Sequence, residues 1–227
     1  MADSVLVLGI DTCGPSGSVA LSRISGGRLE ILGQKELAGR SYSATVVKAV
    51  ADLLEGAGAG LREVSAMVAV SGPGSFTGVR VGLSAVKGLA EPAQIPVATV
   101  SRLAVLAGKA GCTSAALDAH RHEVFLRLGG EGAETLELLA GPMELEAVKR
   151  IPDRIAVCDE VAAALLATTW PEAELIRVGP PAASDAIGFA VSLILAGEFV
   201  DLSQLDGHYL RRSDAEIFGT PVAQGRK

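Results

Sequence analysis

Apolar residues along the chain fall in short blocks separated by glycine-rich turns. Residues 5–10 form a near-continuous apolar run, the pattern of a strand buried on both faces. Residues 18–23 and 29–34 follow as second and third strands, with Gly14, Pro15 and Gly17 in the first turn and Ser25-Gly26-Gly27 in the second. Ser41 or Ser43 can cap a helix that reaches about Glu55, with Gly56 placed to end it. Residues 66–70 predict another buried strand, a glycine-rich loop follows, and helical spacing runs from about Val79 to Ala90. The order is strand, strand, strand, helix, strand, helix.

The second half repeats that order more loosely. Strands are expected at 114–119, 123–128, 135–139 and 155–158, and helices at 142–150, 161–168 and 185–196. Pro142 suits the start of its helix, while Ser184 and Gly197 bracket the last one. Between the halves lie a strand at 95–99 and a helix capped by Ser101 that ends before Gly111. Two copies of one order imply an α/β protein of the duplicated ribonuclease-H-like architecture shared by actin, sugar kinases and Hsp70. There a cleft between two subdomains, expected here at 1–103 and at a smaller 104–227, holds nucleotide.

The loop Gly72-Pro73-Gly74-Ser75-Phe76-Thr77-Gly78-Val79-Arg80-Val81-Gly82 joins a strand to a helix, a geometry that aims unpaired N–H groups and a helix dipole at one spot. No Lys-Ser or Lys-Thr pair follows the glycines, so it is not a Walker A loop. Gly72, Gly74 and Gly78 also miss the dinucleotide spacing by one residue. Asp11 and Thr12 end the first strand beside a hairpin containing Ser16 and Ser18. Together with Gly72, Gly74, Ser75, Thr77 and Gly78 they make a candidate vestigial phosphate site. No Lys or Arg stands between Asp11 and Arg23 to meet a phosphate, and an ordinary turn is the favoured reading of the hairpin. Ser75 lacks the Gly-x-Ser-x-Gly frame of a hydrolase nucleophile, because Thr77 stands where glycine is needed.

The helix after this loop carries two stripes. Val79, Leu83, Val86 and Ala90 form one, and Gly78, Gly82, Ala85 and Leu89 the other. Covering a sheet needs a single stripe, so the small-residue side permits a second helix to approach closely. That helix is either the one starting near Tyr42 or one from another protein.

Composition narrows the picture. Hydrophobic residues make up 49% of the 227 residues but aromatics only 4%, so the core is built of Ala, Val and Leu. A net charge of −6 argues against a chain that grips nucleic acid by itself. Cys13, Cys112 and Cys158 form no C-x-x-C pair, the start Met1-Ala2-Asp3-Ser4 has no basic region, and no apolar stretch approaches membrane-spanning length. A cytoplasmic protein without membrane contact is expected. Asp118, His120 and His122 alternate as strand metal ligands would, yet a turn is needed there and would break the alternation. No metal and no cofactor is expected.

Leu8-Gly9-Ile10-Asp11-Thr12, Ser18-Val19-Ala20-Leu21 and the segment from Gly72 to Leu83 together resemble the TsaB (YeaZ) family. Leu117-Asp118-Ala119-His120-Arg121-His122-Glu123-Val124-Phe125 and Tyr209-Leu210-Arg211 are similar to two further family segments, with His120 where an arginine is usual and Tyr42 where a histidine is frequent. Ser101 to Leu106 fits the helix after the family's central strand. The resemblance implies an actin-like fold and a non-catalytic role in making threonylcarbamoyladenosine in tRNA. The implied partners are a TsaD-like threonylcarbamoyltransferase and the ATPase TsaE, with tRNA met only through the complex and a homodimer when the partner is absent. It places Tyr42, Val46, Val50, Val79, Arg80, Gly82, Leu83 and Val86, on the first two helices, at the partner interface. The competing expectations are a stand-alone ATP-dependent phosphotransferase of the same fold and a metallopeptidase.

Overall fold

The strand β1 (Val5–Asp11) lies inside a five-stranded sheet, antiparallel to β2 (Ser16–Ser25) and parallel to β4 (Ala66–Val70). Burial on both faces is the reason its sequence is apolar without alternation. With β3 (Arg28–Ala38) and β5 (Val97–Val100) at the edges, the order is β3-β2-β1-β4-β5. The computed structural model describes residues 4–38, 41–130 and 135–210. Met1 to Asp3 and Arg211 therefore lie outside the described residues.

A second five-stranded sheet repeats the plan. Its strands are β6 (Ala115–Asp118), β7 (Val124–Leu128), β8 (Leu136–Ala140), β9 (Arg154–Val157) and β10 (Glu174–Arg177). The order β8-β7-β6-β9-β10 is the first sheet's order with each strand replaced by its counterpart. In both sheets the first two pairings are antiparallel and the rest parallel. The expected duplication is present.

Among the described residues six α-helices accompany the sheets: α1 (Tyr42–Gly56), α2 (Phe76–Ala93), α3 (Arg102–Lys109), α4 (Pro142–Glu146), α5 (Glu160–Thr169) and α6 (Ala183–Ala196). Three depart from the sequence expectation for identifiable reasons. Helix α2 starts at Phe76 because the Ser75 hydroxyl accepts the Gly78 N–H at 3.3 Å and caps it inside the loop. Helix α4 stops short of Arg150, and the Trp170 indole N–H donates to the Leu145 carbonyl at 3.1 Å, occupying an acceptor the next turn would use. Helix α6 starts at Ala183, where the Asp185 carboxylate, and not Ser184, accepts the Ala182 N–H at 2.9 Å. Strand β10, half-exposed and four residues long, lacked a sequence signal.

Packing crosses the sequence halves. Ala183, Ala186, Ile187, Ala190 and Ile194 of α6 enter the core of the first sheet, and the Ser18 hydroxyl accepts the Ala183 N–H at 2.8 Å. Helix α3 lies between the two sheets, giving Val105 to the first core and Leu103 and Leu106 to the second half. Among the described residues no helix is long and apolar enough to cross a membrane.

Candidate functional site

The carboxylate of Asp11 closes β1. Its Oδ1 accepts the Cys13 N–H at 2.8 Å, and its Oδ2 stands 3.5 Å from Nε of Arg102 at the start of α3. Both side chains are buried, 1% and 7% exposed respectively. Burial is the largest influence and works against the Arg102 charge, but Asp11 together with Cys13, Cys158 and Tyr42 outweighs it, and the net shift of its pKa is upward. Arg102 is thus the cation that the hairpin itself lacks. Its guanidinium lies against Gly14, where a Cβ would overlap it, while its backbone N–H donates to the Gly72 carbonyl at 2.6 Å.

The glycine loop closes over the hairpin from the other side. Ser75 N–H donates to the Cys13 carbonyl at 2.8 Å, and the Thr12 hydroxyl to the Gly78 carbonyl at 2.7 Å. The Tyr42 hydroxyl reaches in from α1 and donates to the Gly14 carbonyl at 2.8 Å. Burial first, and the Asp11 charge second, push the Tyr42 pKa up to about 12. Burial likewise raises the Cys13 thiol, which leans on the Val70 carbonyl at 3.4 Å. The structure therefore brings Asp11, Thr12, Gly72, Gly74, Ser75 and Gly78 together, with Thr77 exposed on the first turn of α2. A guanidinium, a phenol and the loop backbone fill the space against the hairpin.

The small residues of α2 serve the same closure. A Cβ on Gly78 would overlap the Thr12 carbonyl, and one on Gly82 would overlap the Thr12 hydroxyl. Val79, Leu83 and Val86, with Tyr42, Val46 and Val50 of α1, belong to the protein's own core. These residues were expected to face a partner, and in this chain they are buried: the Val79 stripe lies in the core of the first sheet, Gly78 and Gly82 close on Thr12, and Ala85 and Leu89 stay partly buried beside that core. Of the residues so assigned, Arg80 alone is exposed. The solvent side of the pair carries Ala44, Val47 and Ala51 from α1 and Thr77, Ser84 and Gly88 from α2. Periodicity marked both faces of α2, and only the fold distinguishes inward from outward.

A second polar cluster spans the halves. Glu137 of β8 is held by Arg127 Nη1 at 2.6 Å, Ser101 Oγ at 2.7 Å and His208 Nε2 at 2.9 Å. Burial pushes its pKa up, but these partners outweigh burial and hold it below the usual carboxylate range. It borders a cleft of about 640 Å³ that also involves Ser71, Thr99 and Asp206. At the β6–β7 turn, His120, Arg121 and His122 all adopt positive φ, near 60° (60°, 57° and 61°), which breaks the strand alternation. His120 Nδ1 lies 3.1 Å from Asp118 Oδ2, and no group of three potential metal ligands gathers among the described residues.

Comparison with known proteins places the chain among relatives. The family described as TsaD, tRNA N6-adenosine threonylcarbamoyltransferase, matches residues 31–153. The tRNA threonylcarbamoyladenosine biosynthesis protein TsaB of Haemophilus influenzae is 36% identical over 128 residues, 54% of this chain and 52% of that protein. The match thus spans about half of that relative. TsaB of Escherichia coli is 29% identical over 230 residues, 92% of this chain and 96% of that protein. A Pseudomonas aeruginosa crystal structure, described as an uncharacterized protein with similarity to peptidase YEAZ, superposes with a TM-score of 0.73 at 30% identity over 91% of this chain and 100% of that one. With its duplicated actin-like sheets, its closed hairpin and these relatives, the chain belongs to the TsaB (YeaZ) family.

Proposed function

We propose that this chain is a non-catalytic subunit of the machinery that makes threonylcarbamoyladenosine in tRNA. It docks on a TsaD-like threonylcarbamoyltransferase through the solvent side of α1 and α2, and a TsaE-like ATPase joins the pair. The tRNA is reached through the complex. When the partner is absent, two copies pair through the same face.

The observation that carries this reading is the pairing of an occupied Asp11 hairpin with an open helical face. Arg102, Tyr42 and the glycine loop occupy the space beside Asp11. The α1–α2 pair meanwhile shows water Val47, Ala44, Ala51, Ser84 and Gly88, side chains small enough for helices to pack closely. The name carried by the TsaB relatives and the TsaD family match supply the process and the kind of partner.

The test is threonylcarbamoylation of tRNA by TsaD-like and TsaE-like proteins with and without this chain. Product is expected only when all three are mixed, and none from this chain alone. Val47→Glu, at a position 52% exposed, is expected to abolish co-elution with the TsaD-like protein while leaving the melting curve unchanged. Full modification without this chain would refute the assignment.

A further inference from the structure

Residues 205–210 run from one half of the molecule to the other. Leu205 is buried in the core of the first sheet, and Leu210 packs against the cluster between α3 and the second sheet. Between them the His208 N–H donates to the Ser71 carbonyl at 2.7 Å, and the His208 ring meets Glu137. The segment is thereby anchored at one residue to Ser71, just ahead of the glycine loop, and to β8. Tyr209 follows and is delivered to the first turn of α2. Its ring centroid lies 5.1 Å from that of Phe76, and its hydroxyl accepts from Arg80 Nε at 3.4 Å. The Arg80 guanidinium carbon stands 3.7 Å from the Phe76 centroid and 5.9 Å from that of Tyr209.

An exposed arginine on a helix ordinarily samples many rotamers. Here one ring supports the guanidinium, a second flanks it, and a hydroxyl takes its Nε–H. Among the described residues no acceptor is bonded to its Nη1 or Nη2. Both rings remain 37% exposed, so they offer further apolar area at the edge of the α1–α2 face. Fixed arginine beside tyrosine is the composition of an interface anchor.

We infer that Tyr209 is a positioning residue that presents Arg80 to a carboxylate of the protein docked on α1 and α2. The inference rests on the proposed function, since it refines how that face engages its partner. A carboxylate fits better than an RNA phosphate. One guanidinium on a chain of net charge −6 is a poor grip on a polyanion, whereas its planar fork matches a single carboxylate with two parallel hydrogen bonds. Holding the fork in advance removes rotamer entropy that docking would otherwise cost.

The experiment is a double-mutant cycle on the full chain, read as affinity for the purified TsaD-like protein by calorimetry. Arg80→Met is expected to weaken binding about tenfold and Tyr209→Leu about threefold to fivefold, with the double variant no weaker than Arg80→Met alone. Tyr209→Phe, which keeps the ring, is expected to restore most of the Tyr209→Leu loss, and Arg80→Lys to behave like Arg80→Met. Additive losses, or a wild-type affinity in Arg80→Met, would overturn the inference while leaving the proposed function standing. So would a loss confined to tRNA binding with protein affinity unchanged. Absence of any binding by the wild-type chain would instead strike the proposed function, and the inference with it.

Discussion

Arg102 concentrates the electrostatics of the first half in one side chain. Its charge and that of Asp11 are both withdrawn from water, and each depends on the other for compensation. Arg102→Met would leave Asp11 buried without a counter-charge, and urea unfolding is expected to show a loss of about 3–5 kcal/mol. Glu137 acts across the halves in a different way. Its pKa is held down in the folded state, so its contribution is complete above the unfolded value of about 4.3 and disappears as pH falls through the lower folded value. The wild type should therefore lose its advantage over Glu137→Gln between about pH 5 and pH 3, measured by thermal melts across that range. Neither residue announced itself in the sequence. Arg102 follows a helix-capping serine and reads as ordinary, and only the fold carries it to the hairpin. Asp11 was legible because it ends an apolar strand, but its partner lies ninety-one residues further along the chain.

Among the elements, α2 shows how the same residue type serves opposite ends. Gly78 leaves room for the Thr12 carbonyl, whereas a Cβ on Gly88 would meet open space. Helix propensity favours alanine over glycine by about 1 kcal/mol at either position. Gly88→Ala is expected to stabilise by roughly that amount. Gly78→Ala is expected to destabilise by about 1–3 kcal/mol, because backbone must move to admit the methyl group. Equal effects in paired urea titrations would mean that close approach to the hairpin is not the reason for Gly78. The strands and helices were legible where patterning and punctuation agreed, as in β4, matched at both ends, and in α6, closed at Gly197. They were less legible where a distant group decided the boundary. The Trp170 indole at Leu145 is such a case, and so is the Ser75 cap hidden within a glycine-rich loop. The two stripes of α2 were correctly seen as apolar, but periodicity cannot say whether a buried face meets the same chain or another.

At the scale of the whole molecule, duplication is visible in two sheets of one order, yet the halves are not independent bodies. Helix α6, late in the chain, completes the core of the sheet that begins it. A fragment ending at residue 182 is expected to show exposed apolar surface by dye binding and no cooperative melt, although it contains every strand of both sheets. Adding a peptide spanning α6 should restore protection of β1 and β4 in hydrogen exchange. During synthesis the same dependence has a cost in time. The first five strands leave the ribosome long before the segment that will cover them, so a sticky, half-roofed sheet must wait in the crowded cell, and the growing polypeptide becomes a natural client for chaperones until α6 emerges.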